Sequence, residues 1–215
     1  MLRIAVPNKG SLSEPSAAML REAGYRTRRD PKELIVTDAA NGVELFYLRP
    51  RDIAVYVGSG TVDCGITGRD LLLDSGSAAV EVLALGFGAS TFRYAARPGT
   101  ASALADIGGH RVATSYQGLV EKHLADHGIQ AEVVRLDGAV ETAITLGVAD
   151  VIADVVETGA ALRSQGLEVF GDPILKSEAV HVRREGSEEA AQVEVLRRRP
   201  LGVNTARHHV MLDYD

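Results

Sequence analysis

A chain of 215 residues and 22.8 kDa, 46% hydrophobic with a mean hydropathy of +0.02, can bury a substantial core as one large domain or two small ones. Its formal net charge of −6 excludes nonspecific binding to nucleic acid through a basic face, and no apolar run approaches the ~20 residues of a membrane span. The single cysteine, Cys64, excludes an internal disulfide, and its apolar setting suits a buried thiol better than a nucleophile.

Met1 leads directly into an apolar strand, Leu2 to Val6, without the basic-then-apolar start of a secretory segment, so the expected compartment is the cytoplasm. Pro7-Asn8-Lys9-Gly10 ends that strand in a turn. Ser11 and Glu14 have capping-box spacing for a helix running to about Ala23, and Gly24 suits its C-terminal stop. Lys9 thus sits between a strand end and a helix start, either as a phosphate contact or as a surface lysine. Ile35 to Thr37 and Val43 to Leu48 flank Asn41-Gly42, a hairpin signal. Arg49-Pro50-Arg51-Asp52 then opens a short helix ending near Gly58, with Pro50 suited to the first turn. Its two arginines either meet an anion at the helix N-terminus or face solvent.

An acidic protein that takes a polyanion must concentrate positive charge locally, and Lys9, Arg49, Arg51 and Arg69 are the candidates. Arg197-Arg198-Arg199, by contrast, reads as a solvated or interfacial run. Gly65-Ile66-Thr67-Gly68-Arg69-Asp70 repeats the strand, glycine turn and helix pattern, with helix capping as the simplest role for Asp70. Leu85 to Ser90 is glycine-rich and ends a strand; Ser90 is a ligand contact or turn chemistry. Gly58-Ser59-Gly60 follows a helix rather than a strand and no G-x-G-x-x-G occurs, which argues against a dinucleotide-dependent dehydrogenase.

Arg97-Pro98-Gly99 makes a break before a second α/β lobe. That lobe contains a strand at Arg111 to Thr114, a helix at Gln117 to His127, and strands near Leu167 to Phe170 and Ala179 to Arg183. Gly186-Ser187 makes a second break, followed by a helix-prone stretch from Glu188 to Arg199 and a strand at His208 to Leu212. His123 and His127 share i, i+4 spacing that can bind zinc, but with no third ligand an exposed helical pair is the expectation. His208-His209 would point to opposite faces of a strand.

The centre of this lobe is Arg135 to Leu162. The pattern predicts a strand at Ala131 to Arg135, a turn at Asp137-Gly138, a helix from Ala139 to Leu146 and a strand at Val151 to Ala153. A helix start after Gly138 offers unpaired N–H groups and the positive end of the helix dipole, and Thr142 adds a hydroxyl, so a phosphate is well received there; otherwise Gly138 only makes the turn. Asp137, Glu141 and Asp154 surround it. Carboxylates repel a phosphate, so their partners would be sugar hydroxyls or a divalent cation, and a phosphorylated ribose uses all of these groups.

The run E-x5-G-x-A-x2-I-x-D-V-x2-T-G, Glu141 to Gly159, resembles the signature of the ATP phosphoribosyltransferase family, the first enzymes of histidine biosynthesis. PNKG at Pro7 to Gly10, LRPRDI at Leu48 to Ile53, VDCGITGRDLL at Val62 to Leu72 and the closing MLDYD resemble the same family in the same order. The match departs at Ala161, where the family has Thr, and at Gln117, where SYP is commoner. The resemblance implies an α/β, two-lobed periplasmic-binding-protein-like (type II) fold with a central cleft, lobe I being 1–93 plus 185–215 and lobe II 94–184. It implies attack of the adenine N1 of ATP on phosphoribosyl pyrophosphate, releasing pyrophosphate, with Mg2+ as cofactor.

In that reading Lys9, Arg49 and Arg51 meet the pyrophosphate or triphosphate, and Asp70, Leu71 and Ser90 contact the nucleotide. The loop Asp137, Gly138, Ala139, Val140, Glu141, Thr142 and Ala143 holds the ribose phosphate, in preference to the Thr158-Gly159 turn. Asp154 with Asp137 or Glu141 orients ribose hydroxyls, Glu141 and Asp154 being the candidate magnesium ligands. Also implied are a homodimer or higher homo-oligomer, and the absence of the histidine-binding C-terminal domain of long family members. The rival reading is a non-catalytic two-lobed solute-binding module for an anionic small molecule.

Overall fold

The computed structural model describes residues 1–187, so the expected helix at 188–199, the arginine run, the strand at 208–212 and the closing MLDYD lie outside the described residues. The chain divides into two compact units, Met1–Gly88 with the described residues from Glu178 on, and Ala89–Ser177. The expected boundaries at 93 and 184 are therefore corrected. Both shifts follow from strand pairing: Ser90 already hydrogen-bonds in the second sheet, and the strand at Ala179–Arg184 pairs in the first.

The first unit holds a six-stranded sheet in the order β2-β3-β1-β4-β11-β5. Its strands are β1 (Leu2–Pro7), β2 (Ile35–Asp38), β3 (Val43–Leu48), β4 (Cys64–Gly68), β5 (Ala79–Ala84) and β11 (Ala179–Arg184). β1 runs parallel to β3 and β4, whereas β2 is antiparallel to β3, and β11 to both β4 and β5. Helices α1 (Ser13–Glu22), α2 (Pro50–Gly58) and α3 (Arg69–Ser75) cover it. Side-chain alternation divides the strands between two cores. Leu2, Ile4 and Val6 join Met19 and Leu20 of α1, while Ala5 joins Ile53, Ala54 and Val57 of α2. All five residues of β4 are buried, as befits a central strand covered on both faces. Burial also pushes the Cys64 thiol far above its usual titration range, so it is an inert core group.

Two capping expectations fail. Ser11 does not cap α1: the N-cap is Leu12 with no side-chain bond, and Glu14 instead accepts from Arg21 at 2.6 Å. The C-terminal stop does form, with Gly24 at φ +89° and the Tyr25 N–H bonded back to the Leu20 carbonyl at 2.9 Å. α3 begins after Gly68 without a side-chain cap, and the Asp70 carboxylate sits within the first turn, accepting from the Leu71 N–H at 2.9 Å. The hairpin at Asn41-Gly42 forms as expected, with Asp38 accepting both the backbone N–H and the carboxamide of Asn41.

The second unit holds a five-stranded sheet in the order β10-β6-β9-β7-β8. The strands are β6 (Ser90–Ala96), β7 (Arg111–Thr114), β8 (Glu132–Arg135), β9 (Val151–Val156) and β10 (Glu168–Ser177), with α4 (Gln117–Asp126) and α5 (Ala160–Ser164) as helices. β7 is parallel to β8 and β9, and β6 is antiparallel to β9 and β10. Phe92 and Tyr94 pack with Leu119, Val120 and Leu124 of α4 on one face. Ala95, Ala113 and Ile152 pack with Val140, Ala143 and Leu162 on the other.

The helix expected from Ala139 to Leu146 is absent. Only a 3-10 turn, Val140–Thr142, forms there, followed by irregular turns. Four of those eight residues, Val140, Thr142, Ile144 and Thr145, are β-branched, and Leu146 is 74% exposed, so neither propensity nor an apolar stripe supports a helix.

At the amino ends of β7 and β9, Arg111 grips Asp150 through Nη2 at 3.0 Å and its backbone N–H at 2.9 Å, which lowers the carboxyl pKa to about 2. A carboxylate whose folded pKa is depressed below about 3.9 stabilises above that value, and loses the contribution as pH falls through the folded pKa. Asp150→Asn should therefore lower the urea midpoint at pH 7, with the gap to wild type closing between pH ~4 and ~2.

Candidate active site

The parallel strands of each sheet deliver their loops to one edge, the place where open α/β sheets bind ligands. In the first unit the edge carries the segments after β1, β3 and β4. Their closeness is explicit: the Asn8 N–H bonds the Leu48 carbonyl at 2.8 Å, and a Cβ on Gly68 would touch Leu12 at 3.8 Å. Thus Lys9, Arg49, Arg51, Asp70 and Leu71 are brought to one side of the same sheet.

The four candidate cations do not remain equal. Arg69 donates through Nε and Nη2 to Glu81 at 2.8 and 2.7 Å, and reaches Glu178 at 3.5 Å, so it staples β5 and the entry to β11. Arg51 donates to Asp74 at 2.8 Å, a carboxylate with only 10% of its side chain exposed. Lys9 and Arg49 are exposed and make no ion pair among the described residues. Arg49 also directly precedes α2, whose first turn is opened by Pro50. The charge free to meet an anion is therefore Lys9 and Arg49 first, with Arg51 already sharing its guanidinium.

In the second unit β7, β8 and β9 end at one edge, joined by the start of β6 and the end of β10. Ser90 opens β6 opposite Ser177. It belongs to this edge and not to that of Asp70 and Leu71, correcting the lobe in which it was expected. Thr114 ends β7 and accepts from the Tyr116 N–H at 3.0 Å. Ser115 and Tyr116 therefore lie on the same edge, where spacing in the sequence singled out neither. Asp154 is two residues short of the end of β9, directly opposite Arg93, and accepts from the Val155 N–H at 2.7 Å.

Two loops on this edge present backbone donors. In the first, the N–H groups of residues 137–141 find no acceptor among the described residues, with Gly138 at φ 134° and Ala139 left-handed at φ 48°, ψ 39°. Ala139 is the only non-glycine with positive φ among the described residues, a conformation costing about 1–2 kcal/mol. Its neighbour Val140, 2% exposed, contributes a comparable ~1.5–3 kcal/mol by burial and holds the turn down. A left-handed residue followed by a right-handed one points successive N–H groups into one concavity, an anion nest.

The second loop follows β9. Gly159 is left-handed at φ 70° ahead of α5, and the N–H groups of Gly159, Ala161 and Leu162 have no acceptor among the described residues. The two loops differ in charge. Asp137 and Glu141 belong to the first, with Arg135 lying 3.6 Å from Asp137, whereas Arg163 folds back on the second, donating to the Thr158 carbonyl at 3.1 Å. They differ in hydroxyls too. Thr142 already donates to the Ala139 carbonyl at 2.7 Å, while Thr158 only accepts, from the Ala160 N–H at 3.4 Å, and keeps its proton for a ligand.

Among the described residues no group of three or more His, Cys, Asp or Glu is placed to hold a metal ion. Glu141 and Asp154 are hard oxygen donors, which suits a magnesium ion that takes one or two protein carboxylates and completes its shell with substrate oxygens and water.

This arrangement predicts an order of sensitivity to a polyanion, with pyrophosphate as the probe. Lys9→Met or Arg49→Met should weaken its binding by about tenfold or more, the loss of one hydrogen bond to a charged group. Arg69→Met should change it less than about threefold and instead lower the thermal midpoint. Isothermal calorimetry of the three variants checks the ranking.

The ATP phosphoribosyltransferase family model matches residues 49–199. A Streptomyces avermitilis protein named ATP phosphoribosyltransferase is 65% identical over 219 aligned residues, covering 100% of this chain and 77% of that protein. A solved structure titled ATP phosphoribosyl transferase (HisG:HisZ) complex from Thermotoga maritima superposes with a TM-score of 0.81 at 25% identity, over 97% of this chain and 100% of that one. A Brucella ovis ABC transporter periplasmic binding protein with glutathione bound shares only the fold, at TM-score 0.56 and 13% identity over 97% and 69% of the two chains. The mixed α/β, periplasmic-binding-protein-like class is thus as expected, and by the extent of these matches the chain belongs to the ATP phosphoribosyltransferase family.

Proposed function

We propose that this chain catalyses the first step of histidine biosynthesis, in which N1 of the ATP adenine displaces pyrophosphate from C1 of phosphoribosyl pyrophosphate. The observation that carries the reading is the pair of unpaired-donor loops at the ends of β8 and β9, in a chain of this family. Such a displacement needs positioning and charge stabilisation more than a protein nucleophile. The buried, protonated Cys64 and the histidines play no part in it.

Lys9 and Arg49, helped by Arg51, take the pyrophosphate or triphosphate oxygens. Asp70, Leu71 and Ser90 are the nucleotide contacts in this reading. Asp137, Glu141 and Asp154 orient the ribose hydroxyls. Glu141 and Asp154 would hold Mg2+, which neutralises leaving-group charge when bound. Backbone donors from Gly138 to Ala143 were the expected seat of the ribose 5-phosphate. Local charge now favours Thr158 to Leu162 for the dianion, because Arg163 lies beside that loop, while the other carries Glu141 and an Asp137 that already takes the charge of Arg135. The first loop then serves the sugar.

The enzyme works in the cytoplasm in this reading. No helix among the described residues is long and apolar enough to cross a membrane. Self-association into a dimer or larger assembly belongs to the same reading; the Thermotoga maritima neighbour is titled a HisG:HisZ complex, which supports assembly with other chains in general.

Isosteric hydroxyl removal separates the two phosphate seats. Thr158→Val should raise KM for phosphoribosyl pyrophosphate by about tenfold or more, with kcat changed far less, whereas Thr142→Val should stay within about threefold. The opposite ranking returns the phosphate to Gly138–Ala143. Tight binding of both substrates with no N1-substituted adenine product in the presence of magnesium would instead support a solute-binding module.

A further inference from the structure

On the α4 side of the second sheet lies a pocket of about 330 Å³ that the reaction does not use. Its wall includes Tyr94, Phe170, His123, His127 and Asp172. The expectation of an exposed helical pair is half wrong. His127 is exposed, but His123 is half-buried, with its ring 5.7 Å from that of Tyr94. The two imidazole centroids are 4.4 Å apart and inclined by 44°, so the i, i+4 pair presents both rings to one space.

What distinguishes this pair from two neighbouring histidines is that both Nδ1 atoms are already engaged. His127 Nδ1 lies 2.8 Å from the His123 carbonyl, which can only accept, so the proton is on Nδ1 and the lone pair on Nε2. His123 Nδ1 lies 3.0 Å from the Tyr94 hydroxyl. A carbonyl or hydroxyl on Nδ1 that leaves Nε2 open is the outer-shell pattern of metal-binding histidines. The same bond makes His127 an ordinary cap for the end of α4, but a cap needs neither the second imidazole nor the pocket.

We propose that His123 and His127 form a two-imidazole site for a borderline transition-metal dication such as Zn2+, Ni2+ or Cu2+, separate from the catalytic edge. Both ligands bind through Nε2, and the tautomer with His123 Nδ1–H donating to the Tyr94 oxygen is selected. A tetrahedral metal at about 2.0–2.1 Å from each nitrogen needs the two Nε2 atoms roughly 3.4 Å apart, a spacing within the span open to rings whose centroids are 4.4 Å apart. With no third protein ligand among the described residues, water completes the shell. The affinity should therefore be modest and the metal exchangeable, unlike a closed structural zinc site. Imidazole donors prefer these ions over magnesium, so Mg2+ should not compete.

The test is Zn2+ and Cu2+ titration of the intact chain by calorimetry at pH 7.5 with 5 mM Mg2+ present, alongside His127→Ala, His123→Gln and Tyr94→Phe. His127 is exposed, so its replacement leaves the fold intact, as far-UV circular dichroism would verify. Expected is one metal site lost, or weakened at least thirtyfold, in each histidine variant, with a weakening of about tenfold in Tyr94→Phe. The Cu2+ electron paramagnetic resonance spectrum should show coupling to two equivalent nitrogens in wild type and one in His127→Ala. Metal stoichiometry and affinity that are unchanged in His127→Ala, or no binding by wild type at 0.1 mM Zn2+, would overturn the proposal.

Discussion

Strands buried on both faces can meet solvent only at their ends, and that constraint organises both units. β4 is wholly buried, as are β1 apart from Arg3 and the first half of β9, leaving no room along those stretches for a charged ligand. Parallel neighbours then bring their carboxyl ends to a common edge, and polar chemistry collects in the reversals. Lys9, Arg49 and Arg51 come together in this way from segments separated by some forty residues. Asp137 to Ala143 and Thr158 to Leu162 meet at the end of the second sheet for the same reason.

The 23 basic residues are outnumbered by 29 acidic ones, and the structure divides the positive charge by task. Arg69 and Arg111 are committed to bidentate or multiple contacts with carboxylates, Glu81 and Asp150, and serve as fasteners between strands. Arg163 braces a turn. Lys9 and Arg49 are left on the ligand edge. A guanidinium already neutralised by a carboxylate offers an incoming anion little, so counting arginines near a glycine turn overstates the cations available to substrate.

Backbone conformation supplies the rest of the anion chemistry. The unfavourable left-handed Ala139 is sustained by the buried Val140 and Ala143 beside it, and Gly159 occupies the same region without penalty. Strain held by adjacent burial on a ligand edge is the pattern of pre-organised sites. Both loops rest on one small core with Leu162, so a change in its packing would move both together.

Most of the strands and helices were legible in the sequence, because apolar alternation, Asn41-Gly42, Pro50 and Gly24 report local preferences that the packed structure left intact. The family was legible too, through Glu141 to Gly159 and the segments around Lys9, Arg49 and Asp70. Three things were decided only in three dimensions. The stretch after Gly138 follows an α-helical glycine-turn pattern, yet its β-branched residues settle into a 3-10 turn once Val140 and Ala143 find the core. β11 reads as part of the second half of the chain but hydrogen-bonds between β4 and β5, since strand partnership depends on long-range pairing rather than on sequence neighbourhood. The free or paired state of each arginine, and of the hydroxyls of Thr142 and Thr158, depends on partners as distant in sequence as Glu178 is from Arg69, and local composition carries no record of them.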